Sequence, residues 1–472
     1  MGYRIKLAIL LILLCTVFTQ GMKVQNPPAD VFSARRNAVI SKTGGGVVIV
    51  PGILRTPYGQ RDESTSRYFW YLTGWQEPGA LMLIEPGKTA RYTLFVTPSN
   101  PQMAAYNGIS PSVEEAMRDF HADTAFIFQE MKRVLPGILS RYDTIWYIQS
   151  SKLMYETLTS VLPQGKSPVI MDIRKILNDM RLVKDDQEIS LLKKAIDVTA
   201  EAQKQAMMLA APGRWEYELE AAIDHTFRSK GCDGPAFTTI VGSGANSTIL
   251  HYETNNTQMK AGDVVVMDIG AKCGGYMADI TRTIPISGKF SSTQLDIYNI
   301  VLKAQKEAIK KMIPDGRTLG PHDRASEIIM SGLFRLGLVT DTTCQWQKDL
   351  YILYTATHHI GLDIHDLYPY QLTKADEATF KPGMVITIEP GIYFSADLLT
   401  NLKQRYAGTS SEAAVNDFIQ KVTPVFEKYK NIGIRIEDDI LITSTGNIVL
   451  SAAAPKEPHD IERLMKKKGY YK

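Results

Sequence analysis

At 472 residues the chain is too long for one ordinary core, so two domains are expected. Hydrophobic residues at 44% and charged residues at 22% describe a folded globular protein and exclude a disordered one. The formal charge of +3 gives no reason to expect a nucleic-acid partner, and the Lys466-Lys467-Lys468 run reads as a solvated tail.

In chain order, Arg4 and Lys6 precede an apolar run from Leu7 to Phe18, followed by Thr19-Gln20-Gly21. A basic start, a short apolar stretch and a small residue at the end read as a secretory signal over residues 1–21. The run is short for a membrane span, which needs ~20 apolar residues, so an uncleaved anchor is the weaker alternative. The implied location is secreted or periplasmic, with membrane association only if the segment is retained. Beyond it, Cys232, Cys273 and Cys344 are odd in number and widely spaced, and they read as ordinary thiols rather than a disulfide framework.

From Ser41 to Gln149 short apolar runs alternate with turn residues and helical stretches. Val47–Pro51, Ala80–Ile84 and Tyr92–Val96 read as strands, with Glu85-Pro86-Gly87-Lys88 as a hairpin turn. Helices are expected at Ser112–His121 and Ser151–Val161. This is the pattern of a separate α/β domain. From Gln187 the apolar period becomes helical, through Ile189, Leu192, Ala195, Ile196 and Thr199, so the domain boundary is placed near residue 178. Helices follow at Tyr217–Arg228, Ser292–Met312 and Arg324–Leu336. Asp263–Ile269 and Gly275–Ile286 read as one hairpin around Lys272-Cys273-Gly274. Met384–Tyr393 and Ile432–Ile442 read as two further strands, separated by a polar, partly helical segment over 394–431.

Four carboxylates interrupt these apolar runs: Asp268, Asp279, Glu389 and Glu437. A carboxylate buried without a partner either neutralises or finds a cation. A histidine-rich stretch, Thr357 to Asp366, lies between the two pairs. Four carboxylates and one imidazole, with no thiolate, suit two divalent ions: Mn²⁺ first, with Co²⁺, Fe²⁺ or Zn²⁺ as alternatives. A phosphate loop at Gly242-Ser243-Gly244 is rejected, because no G-x-G-x-x-G completes it.

The series Asp268, Asp279, His358, Glu389, Glu437 resembles the five-ligand signature of the pita-bread metallopeptidases, the clan of methionine aminopeptidase, prolidase and aminopeptidase P. Ile240–Asn246 leading to Leu250-His251-Tyr252, His358–Asp366, Glu389–Tyr393 and Gly433–Asp438 are similar to the aminopeptidase P and prolidase branch. Arg67–Gly74 with Glu77-Pro78 resembles that branch's creatinase-like N-terminal domain, which methionine aminopeptidases lack.

The fold class this implies is α/β (α+β): a creatinase-like N-terminal α/β domain over 30–178, then a pita-bread catalytic domain over 179–460. The resemblance further implies that Asp279 and Glu437 bridge two ions, that Asp268 binds one, and that His358 and Glu389 bind the other. Glu389 would also accept a proton, His251 and His365 would serve the tetrahedral intermediate and the leaving nitrogen, and Arg435 would orient neighbouring groups. Tyr393 is a weaker candidate of that kind. The branch often carries a histidine four residues before the metal histidine, and Tyr354 stands there in this chain. His359 reads as structural. The implied activity is that of an Xaa-Pro aminopeptidase on peptides with proline second, in a homo-oligomer. The alternatives are a prolidase, or a non-catalytic pita-bread binding protein.

Overall fold

The computed structural model describes residues 29–55, 61–62, 65–98, 104–148, 152–165, 167–367, 378–400, 402–408, 410–467 and 469. The expected signal segment lies outside them. Among the described residues no helix is long and apolar enough to cross a membrane. The chain divides into two compact units, Asn26–Leu182 and Val183–Lys472.

The first unit is built on a six-stranded mixed sheet. Its strands are β1 (Val47–Pro51), β2 (Leu81–Glu85), β3 (Arg91–Val96), β4 (Thr124–Ile127), β5 (Thr144–Tyr147) and β6 (Val169–Asp172). They lie in the order β4-β3-β2-β1-β5-β6. The Glu85–Lys88 turn joins β2 to β3 as expected, in register from Leu81 opposite Phe95 to Glu85 opposite Arg91. β1 and β2 are buried along their whole length, which is why they read as unbroken apolar runs rather than alternating ones. Met131, Leu135 and Leu139 from one helix, with Met154 and Leu158 from another, pack against Val47, Ile49, Leu83 and Phe95. Each such side chain contributes roughly 1.5–3 kcal/mol on burial.

The second unit opens on helix α1 (Asp186–Leu209), started by a capping box in which Asp185 and Glu188 each accept the other's backbone N–H. Its buried Gln203 amide donates to the carbonyls of Met267 (3.0 Å) and Ile280 (2.8 Å), tying the helix to two neighbouring strands. Those strands are β8 (Val264–Ile269) and β11 (Ile280–Pro285), which with β7 (Ile240–Ser243) form a sheet ordered β7-β8-β11. Helix α2 (Glu216–Ser229) precedes β7.

The expected single hairpin is in fact two nested pairs. β8 pairs with β11, placing Asp268 opposite Thr281. The tip, β9 (Ala271–Cys273) with β10 (Tyr276–Met277), belongs to a different sheet. The bend between them is at Gly270, where a Cβ would lie 1.9 Å from the Ala278 carbonyl oxygen. Only glycine allows the two arms that close.

The long strands expected at 384–393 and 432–442 are also broken. β12 (Val385–Ile388) and β13 (Gly391–Tyr393) are separated by Glu389-Pro390, and β14 (Gly433–Arg435) and β15 (Asp438–Ile442) by Ile436-Glu437. β12 pairs with β15 while β13 pairs with β14, in separate sheets. Three of the four carboxylates therefore sit at interruptions rather than inside strands, and only Asp268 is within one. The breaks turn the side chains inward where a continuous strand would alternate them.

The cysteine reading is corrected. Cys232 and Cys273 form a disulfide across 41 residues, joining the end of α2 to β9. The fold sets Gly234–Pro235 beside β9 and so brings the two thiols together, an adjacency that linear spacing does not display. Among the described residues only Cys344 remains free. Reduction is expected to cost about 2–4 kcal/mol of stability, measured as a lowered denaturant midpoint in dithiothreitol and reproduced by Cys232→Ser.

Candidate metal centre

The interruptions converge. Oxygens of Asp279 and Glu437 and a ring nitrogen of His358 lie within 4.8 Å of one another. His358 Nε2 is 3.6 Å from Asp279 Oδ2, 3.6 Å from Glu389 Oε1 and 3.9 Å from Glu437 Oε1. Asp268 joins from β8 through Arg435, whose guanidinium donates to Asp268 Oδ2 at 2.6 Å. All five expected ligands line one cavity of about 560 Å³, together with His251, His365, Tyr354 and Arg435. His359, read as structural, lines it as well.

Each member is held by neighbouring strands. Thr281, opposite Asp268, donates its hydroxyl to Glu437 Oε2 (2.7 Å), and its carbonyl accepts the Glu437 N–H. The Asp279 N–H donates to Asp439 Oδ2 (3.1 Å). His358 lies on a stretch that runs beside β12: its carbonyl accepts from Thr387 N–H (2.8 Å), and the Ala356 carbonyl accepts from Glu389 N–H (2.9 Å). Arg435 also donates to the Tyr393 hydroxyl (2.9 Å), which lies 2.8 Å from that of Tyr354. Tyr354 in turn donates to the Glu389 carbonyl at 3.0 Å. The tyrosine in the place of the branch's histidine thus ends a hydroxyl chain that runs back to Asp268.

The electrostatics call for cations. Burial, then the charges of Glu437 and Asp268, holds Asp279 well above the usual carboxylate range. Burial and Glu437 do the same to Glu389, and burial with Asp268 pushes Glu437 up to about 8. Burial and the adjacent His365 push His358 down to about 4, so its imidazole is neutral at pH 7. Its contacts with the carboxylates are therefore not charge pairs, and among the residues lining this cavity only Arg435 offers a full positive charge to the four acids. Among the described residues, Asp268 Oδ1, Asp279 Oδ1 and Glu437 Oε1 are buried with no hydrogen-bond partner. Buried oxygens of that kind are costly unless a cation or a proton meets them. A neutral imidazole among crowded carboxylates, without a thiolate, fits hard divalent ions.

His251 and His365 stand at the more exposed side of the cavity. The His365 ring lies 4.3 Å from that of His358, edge to face. Burial and the nearby His251 lower the His365 pKa.

Sequence reasoning missed the groups behind this layer. Glu216, fully buried at the start of α2, accepts from the backbone and hydroxyl of Ser243 (2.7 and 2.6 Å), from Tyr252 (2.9 Å) and from Thr257 N–H (2.9 Å). It fixes the turn that carries His251. It also shows why Gly242-Ser243-Gly244 is no phosphate loop, since a carboxylate already takes its donors. Arg282 and Asp438, both fully buried, pair at 2.7 Å behind Glu437. Glu216 follows Trp215 in an ordinary amphipathic helix start, so no local signal marks it.

Residues 190–444 match metallopeptidase family M24, and residues 32–146 match the aminopeptidase P N-terminal domain. The chain is 37% identical to the Xaa-Pro aminopeptidase of Haemophilus influenzae, over 84% of this chain and 87% of that protein. It is 33% identical to the Xaa-Pro aminopeptidase of Escherichia coli K12, over 92% of this chain and 97% of that protein. The structure of E. coli aminopeptidase P with the inhibitor Pro-Leu superposes with a TM-score of 0.82 at 31% identity, covering 93% of this chain and 99% of that one.

Proposed function

We infer that this chain, which belongs to metallopeptidase family M24 and carries the aminopeptidase P N-terminal domain, is an Xaa-Pro aminopeptidase. It hydrolyses the bond between an N-terminal residue and a following proline. The observation that carries the reading is the convergence of Asp279, Glu437 and His358, with unpartnered buried oxygens, on a cavity also lined by two further histidines.

In this reading Asp268, Asp279, His358, Glu389 and Glu437 would hold two divalent ions. Mn²⁺ suits the oxygen-rich donor set best. When bound, such ions lower the pKa of a water and draw electron density from the scissile carbonyl. Glu389, as the carboxylate on the cavity wall beside His358, takes the proton of the attacking water. His251 and His365 hydrogen-bond the peptide and stabilise the oxyanion that forms at the carbonyl. They also pass a proton to the proline nitrogen, which has no N–H of its own and needs one to leave. Arg435 and Tyr393 hold Asp268 in position through the 2.6 and 2.9 Å hydrogen bonds.

The N-terminal apolar run and the Cys232–Cys273 disulfide together support a secreted or periplasmic protein, because such bonds persist in oxidising compartments. The family resemblance supports a homo-oligomer. Incubation with Arg-Pro-Pro tests the activity: release of free arginine is expected. Cleavage of Xaa-Pro dipeptides alone would instead indicate a prolidase, which the relatives' activities do not favour.

A further inference from the structure

We propose that Lys184 is a positioning residue for His365, acting through Asp366; the inference rests on the reading above, in which His365 contacts the peptide.

The stretch from Ala356 to Leu367 carries both His358 and His365 yet belongs to no helix or strand. Its first half is held by β12, through backbone bonds at Ala356, His358 and Ile360. After Ile360 that support ends and the chain turns on itself. Gly361 N–H donates to the Asp363 carbonyl (3.1 Å), Asp366 N–H to the His359 carbonyl (2.8 Å), and Leu367 adopts φ +63°. His365 therefore stands on a turn, and its direction depends on what anchors that turn.

A buried ion pair does so. Lys184 Nζ lies 3.2 Å from Asp366 Oδ2, with side chains only 1% and 2% exposed. The packing leaves no slack: a Cβ on Gly361 would come within 2.3 Å of Asp366 Oδ2 and 3.2 Å of Lys184 Cε. Lys184 is itself fixed, since its N–H donates to the Gly383 carbonyl (2.9 Å) and the next residue, Asp185, caps α1.

Within that capping box Glu188 accepts from the Tyr276 hydroxyl at 2.8 Å, and Met277 N–H donates to the Gly361 carbonyl at 2.9 Å. The start of α1 thus grips the His365 turn on one side and the arm leading to Asp279 on the other. A buried ion pair adds little net stability over an apolar pair of the same volume. Its consequence here is direction: it orients Asp366, and so the neighbouring imidazole.

The test uses the full-length, metal-loaded enzyme and Arg-Pro-Pro. Lys184→Met is expected to keep its metal content, because no ligand changes. Its kcat should fall about tenfold to a hundredfold, the scale of a small misplacement of a reacting group, while KM changes less than kcat. Asp366→Asn should fall similarly, and the double variant should lose no more than the worse single one. The exposed Lys193→Met serves as a control with wild-type turnover. Wild-type kcat in Lys184→Met, or additive losses in the double variant, would overturn the proposal. Where Lys184→Met fails to fold, Asp366→Asn decides alone: wild-type kcat there overturns the proposal equally. Absence of cleavage by the wild-type enzyme would instead refute the functional reading itself.

Discussion

Asp279→Asn is expected to abolish metal binding at the cluster and to lower turnover more than about a hundredfold, since even partners behind a metal ligand cost 10–100-fold when removed. Asn keeps the shape and most of the packing, so folding survives and the loss reports on charge. The same variant should behave in an opposite sense without metal. Asp279, Glu389 and Glu437 all have raised proton affinities in the metal-free fold. A carboxylate with a raised folded pKa stabilises the fold fully below its unfolded pKa, and that contribution is lost as pH rises through the folded pKa. For Glu437 the window runs from 4.5 to about 8. The metal-free wild type should therefore lose stability as pH rises across that range. Asp279→Asn removes one crowding charge and should flatten the loss. Thermal denaturation in chelator across that range checks the sign, and metal analysis checks the loading.

Glu389→Gln should lower kcat by about 10²- to 10⁴-fold, the usual weight of a general base, while KM moves little. Its carboxylate lies 3.6 Å from His358 on the cavity wall, at a strand break that frees it from sheet alternation. Glutamine cannot accept the water's proton, so the acidic limb of the pH–rate profile should disappear along with the rate. Steady-state kinetics on Arg-Pro-Pro measure both. A variant with near-normal kcat would remove Glu389 from the proton-transfer role and leave it only the ligand role.

The site was legible in the sequence to the depth at which residues are chemically out of place. Asp268, Asp279, Glu389 and Glu437 stand in apolar runs, and that mismatch alone marks them. Their local geometry was not legible, because a run such as Val385–Tyr393 has the composition of one strand. Pro390, which cannot donate to a ladder, is the one sign of its break. Glu216 and Lys184 were invisible for a different reason. Each is an unremarkable charge near a helix start, and only the fold reveals that its partners, Ser243 and Asp366, are buried with it. The disulfide failed similarly, since Cys232 and Cys273 meet only through the pairing of β9 with Gly234–Pro235.

We infer that this carboxylate and histidine cluster is the metal centre that cleaves before proline. Its most direct test is to strip the full-length protein with a chelator and titrate Mn²⁺ back while following arginine release from Arg-Pro-Pro. The stripped protein is expected to be inactive, with recovery in step with two bound ions per chain, proton release as the metal displaces protons from the carboxyls, and weaker binding at lower pH. Full cleavage of Arg-Pro-Pro by the stripped protein, or two ions bound normally by Asp279→Asn, would contradict the inference.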